Sequence, residues 1–425
     1  MSKFVEMSSL IDEISMGPFG SDIKVEYFVD KGFPVLNGSN LSSIKLVEND
    51  LKFVTIEKAL SLKKAIASRG DIVITHRGTL GQISFIHQKS RFSEYLISQS
   101  QFRLRLKKDL ADPEYIVYYF HSAEGQKRLL ANKNYVGVPA LAQATTNFRK
   151  VAIPLPELWE QKVIAKVLST LDDKIELNNK ICSELESLAQ DLYHFWFTQF
   201  DFPDEDGKPY RSSGGKMVWN DELGREIPEG WRFMPLTAIG EIAGGATPSR
   251  KNSEFYQENG IPWITPKDMS ETNEKYILRG KTNISELGLR CSSAKLLPTG
   301  TVLLTSRAPI GYLGIANNPL STNQGFKSIV PKKEYGSEFV YFLLKDMVPS
   351  LRTMGAKSTF QEVSKTVLEG TKVLVPDAII VSLFKEAVAP YSDMRRSCEA
   401  ETRELAKLRD FLLPLLMNGQ VSVCG

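Results

Sequence analysis

What this 425-residue sequence lacks most is a catalytic vocabulary. No GxGxxG opens a helix after a strand and no GxxxxGK(S/T) is present, so no nucleotide-phosphate cradle is expected. HExxH and GxSxG are absent, as is the Asn/Asp-Pro-Pro-aromatic motif of adenine methyltransferases. The four cysteines (Cys182, Cys291, Cys398, Cys424) form no CxxC pair and have no histidine nearby. That spacing argues against zinc and against a disulfide framework, and points to a reducing cytoplasm. The four histidines, His76, His87, His121 and His194, are too dispersed to suggest a metal cluster. No run of 18 apolar residues exists, so no membrane-spanning helix is expected. Charges in MSKFVEMSSLIDEI stand where a signal peptide needs an apolar core. Asp206-Gly-Lys208 has the D-x-K spacing of a metal-dependent nuclease. It sits in a Gly/Pro-rich linker rather than on a strand that could fix it around magnesium. The chain is expected to catalyse nothing by itself.

What is present is a repeated plan. Hydrophobic residues at 42% and charged residues at 24% suit a soluble globular protein of two or three domains. The net charge of +3 hides a segregation. Residues 1–150 hold 21 Lys+Arg against 15 Asp+Glu, and residues 229–376 hold 18 against 13; residues 151–228 hold 8 against 15. Two basic blocks therefore alternate with acidic or neutral helical ones; the excess in each is modest, and its recurrence at matching places is what points to nucleic acid. Sequence segments repeat in the same order. GFPVLNGSNL (32–41) matches GIPWITPKDM (260–269), and RGDIVITHRGTLGQISFI (69–86) matches TGTVLLTSRAPIGYLGIA (299–316), aligning Arg77 with Arg307. PEYIVYYF (113–120) matches SEFVYFLL (337–344), and VAIPLPE (151–157) matches TKVLVPD (371–377). Each unit reads as short β-runs between Gly/Pro turns, a helix near 113–130 or 337–350, a short strand and a long helix. The class is mixed α/β of the α+β kind.

The long helices carry matching heptads. With Ile164 at a, the a row is Ile164, Leu171, Asn178, Leu185 and Leu192, and the d row is Val167, Lys174, Ile181, Leu188 and Phe195. Shifted by 220 residues, a becomes Phe384, Tyr391, Cys398, Leu405 and Leu412, and d becomes Ala387, Met394, Glu401, Leu408 and Leu415. The two frames make each helix the natural partner of the other, in an intramolecular antiparallel coiled coil. Lys174, Asn178 and Glu401 put polar groups on this seam. They fix register, fray toward solvent or face another subunit, and the spacing does not choose. The stretch between the units, 201–231, reads as a surface connector with turns, rich in Gly, Pro, Ser and acids.

With no catalytic motif, the candidate site residues are basic and lie on loops. Arg77 and Arg307 sit at tight turns, where a guanidinium can reach guanine O6/N7 or a phosphate. Arg250, Lys251, Lys267 and Lys357 supply cations suited to phosphate positioning. Lys133 and Asn134 lie in ANKNYVG (131–137), which aligns loosely with RTMGAKST (352–359); Asn can pair bidentately with adenine. Arg103, Arg105 and Lys107 alternate along FRLRLKK, either as a solvated sheet face or as a phosphate-binding row.

The chain resembles the specificity subunit of type I restriction–modification systems over essentially its whole length. PLPELWEQKVIAKVLSTLDDKIELNNKICSELESLAQDLYHFWFTQFDFP is similar to that family's central conserved region. DEDGKPYRSSGGKMVWNDELGREIPEGW is similar to its lead-in to a second recognition domain, and LRDFLLPLLMNGQVSV to its C-terminal conserved region. The resemblance implies target-recognition domain 1 at 1–153, a central long helix at 154–200 and a connector at 201–230. Target-recognition domain 2 follows at 231–376, then a C-terminal long helix at 377–425. Each domain would read one half of a bipartite, asymmetric site on double-stranded DNA, and the helices would set the gap. The subunit would bind two methyltransferase subunits carrying S-adenosylmethionine, and two restriction subunits would add translocation and cleavage with ATP and magnesium. No cofactor is expected in this chain. The rival reading is a non-enzymatic coiled-coil scaffold with protein-binding heads. The salt dependence of duplex binding separates the two, a slope near zero favouring the scaffold.

Overall fold

The structure is a computed structural model that describes residues 3–20, 22–134, 138–356 and 362–421. Two compact units emerge: residues 1–176 with 403–425, and residues 177–402. Among the described residues no helix is long and apolar enough to cross a membrane.

Both units carry one topology, and strand pairing shows why the repeats align. In the first, Ile11–Met16, Gln101–Leu106, Ile72–Thr75 and Ile83–Phe85 form an antiparallel sheet in that spatial order. In the second, Gly240–Gly244, Lys327–Pro331, Val302–Leu304 and Leu313–Ala316 repeat it, with Tyr276–Ile277 added at the edge. Registers agree as well: Leu104 opposes Ile72 as Ile329 opposes Val302. A second sheet in each unit contains a parallel pair, Val35 opposite Leu96 and Trp263 opposite Ser321. These are the matched GFPVL and GIPWI segments. A two-stranded ribbon then ties the start of each domain to the strand before its long helix. Lys3–Glu6 pairs with Ala152–Leu155, and Arg232–Pro235 with Lys372–Val375. Prolines 154 and 235 are accommodated because a two-stranded ribbon leaves one edge of each strand without a ladder partner.

The helix near 113–130 is two helices, Pro113–His121 and Ala123–Leu129, broken at Ser122, whose hydroxyl caps the second by accepting from Gly125 N. Its counterpart Gly336–Ala356 is continuous. The loose match of 131–137 to 352–359 therefore joins unlike elements: Lys133–Asn134 is a strand, whereas 352–356 ends a helix.

The connector is more than a linker. Phe200, Phe202, Ile227 and Trp231 are buried together in the core of the second unit, and Met217–Asn220 pairs with Arg225–Pro228 as a hairpin. Asp201 accepts from the backbone N and the hydroxyl of Ser212, both at 2.7 Å, closing the intervening loop. Asp206 and Lys208 lie exposed in a turn and bond each other at 3.2 Å.

The long helices are Leu158–Tyr193 and Ala378–Met417. In the first unit Ile164 and Leu168 pack with Leu412, Leu413, Leu416 and Met417, and Arg409 Nη1 donates to Asp172 at 2.8 Å. In the second unit Asn178 donates to Glu401 at 2.8 Å, and Arg395 Nη1 reaches Cys182 O at 3.3 Å and Glu186 at 3.0 Å. Contacts that fall along one helix while rising along the other make the pair antiparallel.

The expected a row faces inward. Ile164 and Asn178 are buried, while Leu171, Leu185, Leu192, Tyr391, Cys398, Leu405 and Leu412 are half-buried. Six of the ten expected d residues are displaced by one residue, while Lys174, Ile181, Ala387 and Leu415 are half-buried. Val167, Leu188, Phe195, Met394, Glu401 and Leu408 are exposed, while Leu168, Cys182, Ala189, Trp196, Val388, Arg395 and Leu416 are buried. From an a position both +3 and +4 lie on the same helix face. Val167-Leu168, Leu188-Ala189 and Phe195-Trp196 offer an apolar side chain at both, so the hydrophobic pattern alone is degenerate. Glu401 is thus not a core residue, and Lys174 is half-buried. Cys182, Cys291 and Cys398 are free thiols.

Candidate nucleic-acid interface

In the first domain the loops after three strands and the paired strands Lys133–Asn134 and Ala140–Leu141 converge at one end of the antiparallel sheet. His76 N donates to Ser100 O at 2.9 Å, Gly17 N to Gln101 O at 2.8 Å and Leu141 N to His76 O at 2.8 Å. Gly78 N donates to Pro139 O at 2.9 Å, which closes the turn with Arg77 exposed at its tip. Gly20 approaches Gln99 so closely that a Cβ there would lie 2.2 Å from the amide oxygen. The His76 imidazole meets Gln99 O at 3.2 Å. Burial pushes its pKa down and Arg77 adds to the shift, so the ring is neutral at physiological pH.

The second domain repeats the arrangement with other side chains. Ser306 N donates to Gly325 O at 2.8 Å and Val363 N to Ser306 O at 3.0 Å, the counterparts of the His76 bonds. Arg307 takes the place of Arg77, and the following residue is left-handed in both turns, Gly78 at φ 89° and Ala308 at φ 51°. Thr247 hydrogen-bonds Gln324, the positional match of Gln99, and so joins the 245–252 loop to the cluster. The Arg307 guanidinium lies 3.5 Å from Glu362, which also accepts from Lys327 at 2.9 Å.

The candidates divide. Arg77 and Arg307 stand on equivalent turns. Lys133 is exposed on the strand paired with Ala140–Leu141, which bonds His76. Arg250 and Lys251 are exposed on the loop that Thr247 ties to Gln324. Lys267 is exposed beside Pro266, whose ring a Cβ on Gly325 would meet at 2.8 Å. The Asn134 side chain and Lys357 lie outside the described residues.

Arg103 and Arg105 are corrections. Arg103 is 4% exposed; it donates to Glu13 at 2.6 Å and to Lys64 O at 3.0 Å, and lies 3.6 Å from Asp71. Arg105 grips the buried Asp71 through two bonds of 2.8 and 3.0 Å. The Arg103 bond chiefly holds Glu13 below the usual carboxylate range. The face opposite the hydrophobic core is an ionic cluster, buried at Arg103 and Asp71 and open to solvent at Arg105 and Glu13, so these arginines are committed to carboxylates. Lys107 is exposed, but its amine is committed to Ser9 O at 2.9 Å.

Sequence reasoning missed Lys327, Glu362, Gln99 and Gln324. The last two had a signal in their matched places before the strands Gln101–Leu106 and Lys327–Pro331. Glu362 had none, since it enters the cluster through tertiary pairing. A buried ionic joint in the second unit was also unforeseen. Lys275 reaches Glu338 at 2.7 Å and Glu186 at 3.3 Å, while Arg395 bonds Glu186 and Glu399 at 3.0 and 2.8 Å.

Two domains of one topology, each ending in a basic loop cluster and joined to an antiparallel helix pair, define a bipartite recognition protein. The model of the type I restriction modification DNA specificity domain matches residues 22–187 and again 228–385. The chain therefore belongs to the family of type I restriction–modification specificity subunits. It is 26% identical over 413 residues to the HindI specificity subunit of Haemophilus influenzae, covering 84% of this chain and 88% of that one. It is 40% identical over 205 residues to the MjaIX specificity subunit of Methanocaldococcus jannaschii, where the match spans 45% of this chain and 47% of that protein, under half its length. The fold is similar to the crystal structure of a type I S subunit from M. genitalium, at a TM-score of 0.61 and 16% identity over 98% and 96% of the two chains.

Proposed function

We propose that the two loop clusters are the DNA-reading surfaces, each taking one half of a bipartite, asymmetric site in duplex DNA. The observation that carries this reading is the repeated turn. The same backbone bonds present Arg77 in one domain and Arg307 in the other, while neighbouring residues differ. One scaffold with two sets of loop residues suits two different half-sites. The helix pair sets the unspecified gap. In the second unit the helices also carry exposed apolar residues, Leu188 and Met394 among them. Two methyltransferase subunits are the partners proposed for the long helices. S-adenosylmethionine would be held by them, with ATP and magnesium on restriction subunits, and the assembly would work in the cytoplasm.

Methylome sequencing of a host carrying this gene with its methyltransferase partner identifies the site. Arg307→Ala is then expected to weaken binding to a duplex bearing that site by about 1–3 kcal/mol at fixed salt. Unchanged affinity would remove Arg307 from the interface, and a salt slope near zero for the wild-type chain would favour a protein-binding scaffold.

A further inference from the structure

In the second domain a carboxylate, Glu362, stands beside the arginine turn where the first domain has Ala140. Val363 N bonds Ser306 O as Leu141 N bonds His76 O, so Glu362 stands at the place of Ala140. Glu362 Oε1 accepts from Lys327 Nζ at 2.9 Å and lies 3.5 Å from Ser306 Oγ, and Oε2 lies 3.5 Å from Arg307 Nη1. The carboxylate side chain is 23% exposed and that of Lys327 16%. Partial burial makes such pairs harder to screen than free surface charges.

A phosphate approaching either cation meets a carboxylate already in place. To bind, it must displace that group or endure its repulsion. Base edges impose no such penalty: guanine O6/N7 are neutral acceptors for the remaining donors of Arg307, and Glu362 can itself accept from a cytosine amino group. We infer that Glu362 is a specificity-determining residue of the second domain. It withholds Arg307 and Lys327 from the phosphate backbone, suppresses sequence-independent binding, and leaves base edges as the partners these side chains accept. The inference rests on the loop clusters being the DNA-reading surfaces.

The test is fluorescence anisotropy of the full chain on a random-sequence duplex between 50 and 200 mM salt. Glu362→Gln keeps the shape and removes the charge. It is expected to steepen the dependence of log K on log salt by about 0.9 for each cation freed, and to bind up to roughly tenfold tighter at 50 mM. Adding Lys327→Gln and Arg307→Gln should abolish the gain. The mirror variant Ala140→Glu places a carboxylate beside Arg77 and should make the wild-type slope shallower by about 0.9. Unchanged slopes in Glu362→Gln and Ala140→Glu, with Arg307→Ala still weakening the cognate duplex, overturn the gate and leave the reading surface standing. If Arg307→Ala is silent as well, the reading surface falls with it.

Discussion

Arg77 and Arg307 occupy the same turn, yet one stands in solvent and the other leans on Glu362. Buried charge differs between the domains in the same way. The first hides an ionic cluster of Arg103, Arg105, Asp71 and Glu13 in its sheet, where the second has Ser328, Val330 and Thr301 at the positions of Arg103, Arg105 and Asp71. The second hides its cluster where domain meets helix, around Lys275. Glu114 and Glu338 are matched residues of the repeated helix, and they show the contrast most sharply. Glu338 is bonded by Lys275 and by the Tyr276 hydroxyl at 2.6 Å, and Glu114 Oε1 is buried without a hydrogen-bond partner among the described residues. Backbone pairing and apolar packing hold the common scaffold, and the ionic interior can be placed differently on it.

The largest expected effect comes from the joint in the second unit. Lys275→Met leaves Glu186 and Glu338 buried without their shared cation. Breaking a buried pair from one side costs about 3–5 kcal/mol, because the abandoned charge stays in a poor solvent. Urea unfolding, followed by the fluorescence of Trp196, Trp231 and Trp263, reads that loss in the unit that contains them. Arg103→Met in the first unit should cost less, since Asp71 keeps both bonds from Arg105. Equal losses would erase the distinction between Asp71, which keeps two guanidinium bonds, and Glu338, which loses the ammonium bonded to it at 2.7 Å.

These joints mark the limit of what the sequence makes legible. The repeat, the two domains and the pairing of the long helices could be read from matched segments, because turn chemistry and apolar periodicity are local. The arginine turns were legible for the same reason. Arg103 was misread because strand alternation reports two faces without saying what covers them. The seam was misplaced by one residue because Leu188-Ala189 and Phe195-Trp196 satisfy either choice, and packing against the other helix decides. Glu362 could not be found at all, since its meaning depends on residues 35 and 55 positions away.

Titration separates the two units by sign. Burial, with Asp112 and Asp173 adding to it, raises the Glu114 carboxyl to about 7, against the pull of Lys45 and Lys166. A raised folded-state pKa favours the protonated fold. Its contribution is complete below the ordinary value of 4.5 and is lost as pH rises through 7. Glu186 behaves oppositely. Burial would raise it, but Lys275, Lys345 and Arg395 together hold it at about 2, so its contribution is present above 4.5 and lost as pH falls through 2. Glu114→Gln is therefore expected to gain about 1–2 kcal/mol relative to wild type at pH 8, after discounting for solvent screening, and nothing at pH 4. Thermal unfolding at both pH values measures it. A difference between variant and wild type that does not change with pH would mean that Glu114 ionises freely, as a solvated carboxylate does.

The smallest effect concerns the seam. Asn178 is fully buried and donates to Glu401, but its carbonyl oxygen has no partner among the described residues. An unsatisfied buried acceptor costs about 1–3 kcal/mol, which offsets the return from one bond to an exposed carboxylate, and a leucine adds apolar burial at the seam. Asn178→Leu should therefore stabilise the second unit by about 1 kcal/mol, raising Tm by about 2–4 °C. Glu401 is exposed and stays solvated when its donor is removed, so no charge is stranded. What the substitution should remove is discrimination between registers, because a leucine pairs with any apolar layer whereas an asparagine selects one. A higher Tm together with weaker binding to the methylated site's duplex would show that the polar layer holds the gap at the expense of stability. A lower Tm would show instead that the Asn178–Glu401 bond is a net stabilising contact, and that the polar residue is retained for the fold itself.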